Sequence, residues 1–229
     1  MRLGIDIGGT SLKAGLVEEN GTLVDMQTCS VDTNPKGFEE ILLTGIVSLC
    51  DTLLKRNHLT KKQIRSVGAG APGTVDSEEG IFLSAPNMPV HHFQICREFS
   101  RTWHMPLQLG NDASCAALGE QVYGGGKGYS SMMLITLGTG VGSGLVLGGK
   151  IYTGFNGAAA EAGHVLIRKG GRPCGCGRKG CLEAYASASA LIRDSITEMK
   201  KDHTSMMWDL VHGSAALVDG TTAFLAAEP

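Results

Sequence analysis

The alternation of apolar and polar residues predicts that the chain opens as a β-meander. The alternation is clearest in Leu3–Ile7 and Leu12–Val17. A third strand is predicted at Thr22–Val31, after the hairpin signal Asn20-Gly21. A period of two is typical of strands that bury one face. We therefore expect three consecutive strands joined by tight turns.

A helical period then replaces this alternation. Apolar residues fall at helical spacing from Phe38 to Leu54, which predicts one long amphipathic helix. Thr60 and Gln63 have the spacing of a capping box. The next predicted elements are a strand at Ile64–Ala69 that ends in a glycine loop at Gly68–Gly73, a helix at Phe93–Trp103 and a strand at Leu107–Leu109. A first α/β domain, residues 1–110, is expected to end there.

The second half repeats the order of strand, glycine turn and strand. Its predicted elements are a strand at Ser131–Leu137, a turn at Gly138–Gly144, a strand at Leu145–Leu147 and a hairpin into Ile151–Tyr152. Ser187 is a candidate helix cap, and a last helix is predicted from Thr221 or Thr222. We assign residues 111–229 to a second α/β domain.

Composition narrows the class of protein. The 229 residues are 42% hydrophobic and carry a formal net charge of −2, with the basic residues scattered. Such a chain can bury a core but shows no basic patch for nucleic acid. The sequence contains no recognisable signal peptide and no apolar run of membrane-spanning length. We therefore expect a cytoplasmic protein with neither nucleic acid nor membrane as a partner.

The glycine-rich run from Glu161 to Glu183 has the composition of a metal site. Cys174, Cys176 and Cys181 follow a C-x-C-x4-C pattern, and His164 lies just upstream. Four such ligands would fill a tetrahedral site, so we predict a structural zinc ion. The alternative is a set of reduced surface thiols without a metal. The other four cysteines lack ligand spacing and are expected to be small core residues: Cys29, Cys50, Cys96 and Cys115.

Two glycine turns could bind phosphate. The first is Asp6-Ile7-Gly8-Gly9-Thr10, and the second runs from Leu137 to Gly144 with Thr139 among its glycines. Backbone N–H groups in such turns can converge on a phosphate, because glycine lets the main chain approach closely. Neither turn is a P-loop or a Rossmann fingerprint. For the first turn, a plain hairpin connection explains the glycines equally well.

A polar pair, Asn111-Asp112, lies between the two turns at the end of a short predicted strand. The simplest interpretation of Asp112 is a helix N-cap. If the strand ends face a cleft, Asp112 could instead accept a proton from a substrate hydroxyl as that oxygen attacks a γ-phosphate. Both interpretations stay open on the sequence alone.

Taken together, these motifs resemble the ROK family of repressors and sugar kinases in the actin-like ATPase superfamily. The resemblance rests on both glycine turns, Asn111-Asp112, the Glu161-Ala162-Gly163-His164 motif and the cysteine run ending in Leu182-Glu183. It implies a two-domain α/β fold of the ribonuclease H-like type, with mixed sheets flanked by helices and an interdomain cleft. Full-length members continue beyond the end of this chain, so the second domain is expected to be incomplete.

The resemblance also implies a role for each motif. Asp112 would be the general base. The sugar-binding residues would be Asn111, Asp112, Glu161, His164 and Glu183. The residues near the phosphates of ATP and its Mg²⁺ would be Asp6, Gly8, Gly9, Thr10, Lys13, Gly138, Thr139 and Gly140. A solvated strand lysine is an equally good interpretation of Lys13. Zinc would be held by His164 with the three cysteines.

The implied activity is ATP-dependent phosphorylation of a hexose, with glucose as the leading substrate. N-acetylmannosamine, fructose and other hexoses need much the same polar groups. A sugar-responsive regulator of the same family is a second possibility, although the chain begins at the first phosphate strand. A sugar-binding remnant with weak catalysis is the third. The resemblance also implies a homodimer or a higher homo-oligomer.

Overall fold

The computed structural model describes residues 1–32, 36–85, 88–155 and 157–227. The chain forms two compact units, Met1–Leu134 with Gly144–Ala160, and Ile135–Ser143 with Glu161–Pro229. The domain boundary predicted after Gly110 lies inside the first unit, because there a strand continues directly into a helix. Among the described residues, no helix is both long and apolar enough to cross a membrane.

The strands, in chain order, are β1 (Arg2–Ile7), β2 (Ser11–Val17), β3 (Leu23–Ser30), β4 (Ser66–Ala71), β5 (Thr74–Asp76), β6 (Ile81–Ala85), β7 (Met88–Phe93), β8 (Leu107–Asn111), β9 (Met132–Leu137), β10 (Val141–Leu147) and β11 (Lys150–Ile151). The helices are α1 (Phe38–Arg56), α2 (Ile95–Trp103), α3 (Asp112–Tyr123), α4 (Glu183–Ala186), α5 (Ala188–Met199), α6 (Met207–Leu210) and α7 (Thr222–Ala227). Short 3-10 turns lie at Lys61–Gln63, Ala162–His164 and Ala215–Leu217.

The first sheet has the order β3-β2-β1-β4-β8. β1, β2 and β3 are antiparallel neighbours, which confirms the predicted meander, whereas β4 and β8 are added in parallel. Parallel addition places the carboxyl ends of β1, β4 and β8 at the same edge of the sheet. The residues that follow those ends, Gly8 and Asp112 among them, therefore lie at that edge.

One face of this sheet is covered by α1 and α2 and forms the main core. Leu3, Ile5 and Ile7 of β1 point into it and are nearly fully buried. The buried residues of α1 recur at helical spacing from Phe38 to Leu54, which confirms the predicted amphipathic helix. Their contact with the sheet removes apolar surface from water, which is the main stabilising contribution in this unit.

Helix α3 packs on β4 and β8. At Gly70 a Cβ atom would lie 3.4 Å from the Cα atom of Asp112, so the glycine lets the helix approach the strand closely. The prediction of a glycine loop from Gly68 was wrong in this part, because β4 pairs with β1 up to Gly70 and with β8 up to Ala71. Small residues in a strand here serve helix packing.

Sequence patterning missed a second sheet, the antiparallel meander β5-β6-β7. Its strands are short, and β7 ends at Phe93, which pairs with Phe82. The helix predicted from Phe93 therefore begins two residues later, at Ile95. An apolar residue at a strand end and one at a helix start have the same spacing, so the pattern did not distinguish them.

The third sheet has the order β11-β10-β9. β10 begins at Val141 and not at the predicted Leu145, so the second glycine turn is shorter than predicted. Gly144 lies within β10 because α3 packs against it; a Cβ there would come within 2.6 Å of the carbonyl oxygen of Ala113. The glycines were interpreted as a turn because the sequence does not show this helix contact.

The second unit is smaller and mostly irregular or helical. Ser187 caps α5, as predicted, and its hydroxyl oxygen accepts a hydrogen bond from the N–H of Ala190 at 3.1 Å. The last predicted helix is α7. A small apolar cluster contains the buried residues Met199, Val211 and Val218. The partly buried residues that pack against it are Ile192, Ile196, Met207 and Trp208. This cluster is much smaller than the core of the first unit, so apolar burial contributes less to the stability of the second unit.

Candidate active site

The first glycine turn joins β1 to β2 in the first unit. The N–H of Gly8 donates to the carbonyl oxygen of Ser11 at 2.9 Å, and a Cβ on Gly8 would lie 2.8 Å from that oxygen. A Cβ on Gly9 would meet no atom within 4 Å. The turn therefore needs glycine at position 8 for its own closure, whereas Gly9 leaves an open stretch of backbone that a ligand could approach.

Asp6 and Lys13 face each other across this turn because the β1–β2 register pairs them. The Lys13 Nζ atom lies 3.4 Å from Asp6 Oδ2, and both side chains are about half exposed. Exposed pairs of this kind contribute about 0–1 kcal/mol. The pair therefore holds neither side chain firmly, and both can turn toward a bound phosphate or cation. Thr10 is exposed at the same turn.

Asn111 and Asp112, which lie between the two glycine turns in the sequence, have different structural roles. Asn111 is the N-cap of α3: its Oδ1 atom accepts from the N–H of Ser114 at 3.1 Å, and its Nδ2 atom donates to the carbonyl oxygen of Gly73 at 3.2 Å. Asp112 is the first helical residue and not the cap. Because Asn111 performs the capping, Asp112 is left for other chemistry.

The Asp112 carboxyl has a pKa raised above its ordinary value. The largest cause is desolvation by the surrounding protein, and the negative charge of Asp6 adds to it. The residue still has solvent access, so the carboxyl is crowded by protein but reachable. A hydrogen bond from the N–H of Ala113 to Oδ1, 2.7 Å long, opposes the rise and fixes the side chain. A reachable carboxylate of raised pKa has the properties of a general base.

The second glycine turn lies in the second unit, where hydrogen bonds from the start of α5 hold it. The carbonyl oxygen of Gly138 accepts from the N–H of Ala188 at 2.8 Å, and that of Thr139 accepts from the hydroxyl of Ser189 at 2.8 Å. A Cβ on Gly138 would meet no atom within 4 Å, so this side of the turn is open. In this turn two carbonyl groups are fixed by hydrogen bonds, whereas the backbone at Gly138 is accessible.

Glu183 contacts this turn directly. Its Oε2 atom accepts from the N–H of Val141 at 3.0 Å, and a Cβ added to Gly140 would collide with the same oxygen. Its Oε1 atom accepts from the Cys174 thiol at 3.3 Å. The sugar-binding role predicted for Glu183 is therefore accompanied by structural contacts that the sequence did not suggest.

The four predicted metal ligands lie together in the second unit. One ligand atom from each of His164, Cys174, Cys176 and Cys181 can be chosen so that all four lie within 4.8 Å of one another. His164 Nδ1 is 3.6 Å from Cys174 Sγ, and the sulfur atoms of Cys176 and Cys181 are 3.7 Å apart. This cluster could hold a metal ion. Gly180 is required nearby, because its φ of 85° is left-handed and a Cβ would collide with the carbonyl oxygen of Arg168.

Glu161 immediately precedes the 3-10 turn Ala162–His164, whose last residue is a member of the metal cluster. The N–H of His164 donates to the carbonyl oxygen of Glu161 at 3.0 Å, which closes this turn. The N–H of Ala162 donates to the hydroxyl oxygen of Ser143 at 2.9 Å. Glu161 is exposed and His164 is partly exposed. The Nδ1 atom of His164 is the ring nitrogen directed at the cluster.

The remaining cysteines fit their predicted core role only in part. Cys50 is fully buried, and burial raises its pKa to about 12, so it is an unreactive core residue. Cys115 is exposed, contrary to the prediction. Its sulfur lies against the glycines of β4 and β8, and a Cβ on Gly110 would come within 2.7 Å of it. Cys115 therefore packs α3 against the sheet one turn after Asp112.

A cavity of about 490 Å³ lies elsewhere in the second unit, along α5. It is lined by Arg172, Pro173, Arg193, Asp194, Thr197, Glu198 and Lys201. Both arginines form ion pairs with Asp194. None of the predicted site residues lines this cavity, so it is not part of the candidate active site.

With this geometry in place, comparison with known proteins decides the family. Residues 2–223 match the ROK family. The chain belongs to the ROK family. A structure described as a ROK family glucokinase from Streptomyces griseus in complex with glucose and AMPPNP matches with a TM-score of 0.83 and 32% identity, covering 99% of this chain and 70% of that one. The predicted actin-like ATPase fold class is thereby confirmed.

Curated ROK relatives include both kinases and regulators. A glucokinase of Halalkalibacterium halodurans is 37% identical over 211 residues, which cover 90% of this chain and 63% of that glucokinase. The xylose repressor of Bacillus subtilis (strain 168) is 27% identical over 210 residues, which cover 92% of this chain and 54% of the repressor. The chain thus spans less than two thirds of the length of these two relatives.

Two residues that sequence analysis did not single out contribute to the site. Ser189 holds the second glycine turn, and Ser143 holds the backbone of the segment with Glu161 and His164. Serines at turns and helix starts are common, so no spacing signal distinguishes these two. Their partners are distant in sequence, and only the folded structure identifies them.

Proposed function

We propose that this protein is an ATP-dependent hexose kinase, with glucose as its substrate and Asp112 as the general base. The observation that carries the proposal is the environment of Asp112, a reachable carboxyl of raised pKa at the start of α3. Support comes from the match to a ROK glucokinase that binds glucose and AMPPNP. Phosphoryl transfer needs little covalent chemistry from the protein, so positioning and electrostatics account for most of the catalysis.

In this mechanism Asp112 accepts the proton of the sugar hydroxyl as its oxygen attacks the γ-phosphorus. Asn111, Glu161, His164 and Glu183 bind the other hydroxyls. Amide and carboxylate oxygens accept from hydroxyl groups, whereas the Asn111 amide and the His164 Nε2–H can donate. These groups orient the sugar, and orientation is itself a large part of the rate enhancement.

The two glycine turns bind the phosphates of ATP. Backbone N–H groups of Gly9, Thr10, Thr139 and Gly140 would stabilise the negative charge that spreads over the transferred group. The N–H groups of Gly8 and Gly138 donate within their own turns, to the carbonyl oxygens of Ser11 and Gly140 at 2.9 and 3.0 Å, so these two glycines would serve the close approach of the backbone. Mg²⁺ bound with ATP would neutralise part of this charge. Asp6 suits the ion as a hard oxygen ligand, directly or through water. Lys13 adds a positive charge beside the first turn.

Two separations between candidate ligand atoms support zinc as the ion of the metal cluster. With Zn–S distances of about 2.3 Å and Zn–N distances of about 2.0 Å, a tetrahedral ion separates two sulfur ligands by about 3.8 Å and sulfur from nitrogen by about 3.5 Å. The separations of 3.7 Å for Cys176 with Cys181 and 3.6 Å for Cys174 with His164 agree with these values, and all four ligand atoms lie within 4.8 Å of one another. We propose a closed structural zinc site that orders the segment with Glu161, His164 and Glu183.

The proposal is tested by a coupled assay of ADP release with Mg·ATP and a panel of glucose, N-acetylmannosamine, N-acetylglucosamine, fructose and xylose. Turnover with glucose above the other sugars is the expected result. Xylose belongs in the panel because a xylose repressor is among the relatives. Sugar binding in calorimetry with no ADP release for any sugar would reject the kinase and favour a sugar-responsive regulator or a catalytically weak sugar-binding protein.

A further inference from the structure

The hydrogen bonds at the second glycine turn determine how its peptide groups are oriented. A trans peptide is planar, and its N–H points opposite to its C=O. The carbonyl group of Gly138 is directed at the N–H of Ala188, so the N–H of Thr139 in the same peptide points away from α5. The carbonyl group of Thr139 is directed at the Ser189 hydroxyl, so the N–H of Gly140 also points away from α5.

The next peptide of the turn is oriented in another way. The N–H of Val141 is taken by Glu183 Oε2 at 3.0 Å, which removes it from the donors that a ligand could use. The same carboxylate fills the space beside Gly140, where a Cβ would collide with it. Glu183 thus marks the end of the open stretch of N–H groups at Gly140.

Within the turn, the N–H of Gly138 also donates to the carbonyl oxygen of Gly140 at 3.0 Å. Without the anchors from Ala188, Ser189 and Glu183, the Gly-Thr-Gly turn would still populate more backbone conformations, because glycine is the least restricted residue. Ordering it at the moment of binding would weaken nucleotide affinity, and a turn that is already ordered avoids that loss. The anchors come from the segment that also carries the cysteine cluster, since Glu183 and Ser189 follow Cys181 within eight residues. When this segment is ordered, its hydrogen bonds therefore also restrict the conformations of the turn.

We propose that Ser189 and Glu183 are positioning residues for the nucleotide: they hold the second glycine turn so that the N–H groups of Thr139 and Gly140 face the phosphates. The inference rests on the proposed kinase function and adds to it. Ser189 acts through the Thr139 carbonyl group and touches neither substrate. Glu183 has two separable roles, one toward the turn and one toward the sugar.

The test measures binding of Mg·AMPPNP and of glucose separately, by calorimetry, to the full chain with zinc bound. Ser189→Ala is expected to weaken AMPPNP binding roughly fivefold, the effect of one net hydrogen bond, and to leave glucose affinity within about twofold. Glu183→Gln is expected to weaken glucose binding and to leave AMPPNP affinity within about twofold. The amide oxygen can still accept from the N–H of Val141, whereas the charge toward the sugar is lost. The matched control is Thr197→Ala, which removes a 2.8 Å hydroxyl-to-carbonyl hydrogen bond on the same helix, away from the turn.

A second measurement does not depend on activity. In hydrogen exchange, a peptide covering residues 137–143 is expected to lose protection in Ser189→Ala and not in Thr197→Ala. If the unmodified protein binds AMPPNP and Ser189→Ala binds it equally well, or if exchange in this peptide is unchanged, the positioning inference is wrong while the kinase proposal survives. If the unmodified protein binds no AMPPNP, both are wrong.

Discussion

Asp112 shows how neighbouring groups change the properties of a single side chain. A helix N-cap was the simplest interpretation of this aspartate in the sequence, yet the structure gives the capping to Asn111. Desolvation and the charge of Asp6 then raise the Asp112 pKa. Two predictions at this scale follow from the same contacts, one on turnover and one on pH dependence.

Asp112→Asn is expected to lower kcat by about 10²–10⁴-fold, the usual contribution of a general base, with little change in glucose affinity. The physical reason is that asparagine keeps the shape and the polar contacts but does not accept the proton. Steady-state kinetics and glucose calorimetry measure the two quantities. Asp209→Asn, at an exposed aspartate of α6, is the control. Turnover close to that of the unmodified protein would remove Asp112 from the mechanism.

Asp6→Asn is expected to move the acidic limb of the kcat/KM profile to lower pH. The carboxylate of Asp112 must be ionised to act as a base, so activity falls as pH drops through its raised pKa. Removal of the Asp6 charge favours the ionised form and lowers that pKa, while desolvation keeps it above the ordinary value. Each pH profile is normalised to its own plateau. A shift of the acidic limb is then distinguished from the overall loss of activity that follows from removing Asp6 near Mg²⁺. An unmoved limb, or one moved to higher pH, would contradict the assignment of Asp112 as the group observed.

At the scale of secondary structure elements, the close packing of α3 explains why two strands contain glycine. Gly70 in β4 and Gly144 in β10 both lie where α3 approaches the strand backbone. This approach brings the first turn of α3, with Asp112, to the carboxyl edge of the first sheet. Glycines that look like loop residues in the sequence are therefore parts of strands.

Gly144→Ala is expected to lower the free energy of unfolding by about 1–3 kcal/mol, because the added methyl group would overpack the contact between α3 and β10. Its Cβ would lie 2.6 Å from the carbonyl oxygen of Ala113 and 2.5 Å from the Cβ of Ala117. Gly4→Ala in β1 is the matched control, since a Cβ there meets no atom within 4 Å. Urea denaturation of both variants measures the difference. Equal stability of the two would show that α3 does not depend on this close approach.

At the scale of the whole molecule, the two compact units differ in how they are stabilised. The first unit has an extensive core on one face of the five-stranded sheet, whereas the second has a small cluster around Met199, Val211 and Val218. The four candidate metal ligands all belong to the second unit. A bound metal would therefore supply much of the order that apolar burial does not.

Removal of zinc by a strong chelator, or the substitution Cys176→Ser, is expected to destabilise the second unit selectively. Peptides from residues 161–227 should exchange amide hydrogens faster, while those from β1, β2 and α1 should not change. The glucose KM should rise in the same samples, because Glu161, His164 and Glu183 lie in the affected segment. Metal analysis confirms the loss, and Cys96→Ser, at a cysteine outside the cluster, serves as the control. Unchanged exchange after complete metal loss would contradict a structural role for the ion.

By itself, the sequence determined the family, the opening meander, the long helix α1 and the set of four candidate metal ligands that the structure brings together. These features depend on local periodicity, on turn residues and on the spacing of cysteines within one loop, all of which are properties of neighbouring positions. The second sheet, β5-β6-β7, escaped detection because its strands are short and carry no clear alternation.

Only the tertiary structure decided which glycines are strand residues, which of Asn111 and Asp112 caps α3, and what holds the second glycine turn. Each of these depends on a contact between residues far apart in the chain, such as Gly144 with Ala113, Asn111 with Gly73, and Thr139 with Ser189. A short sequence pattern does not contain such contacts, because they arise only when separate elements pack and their backbone groups find partners.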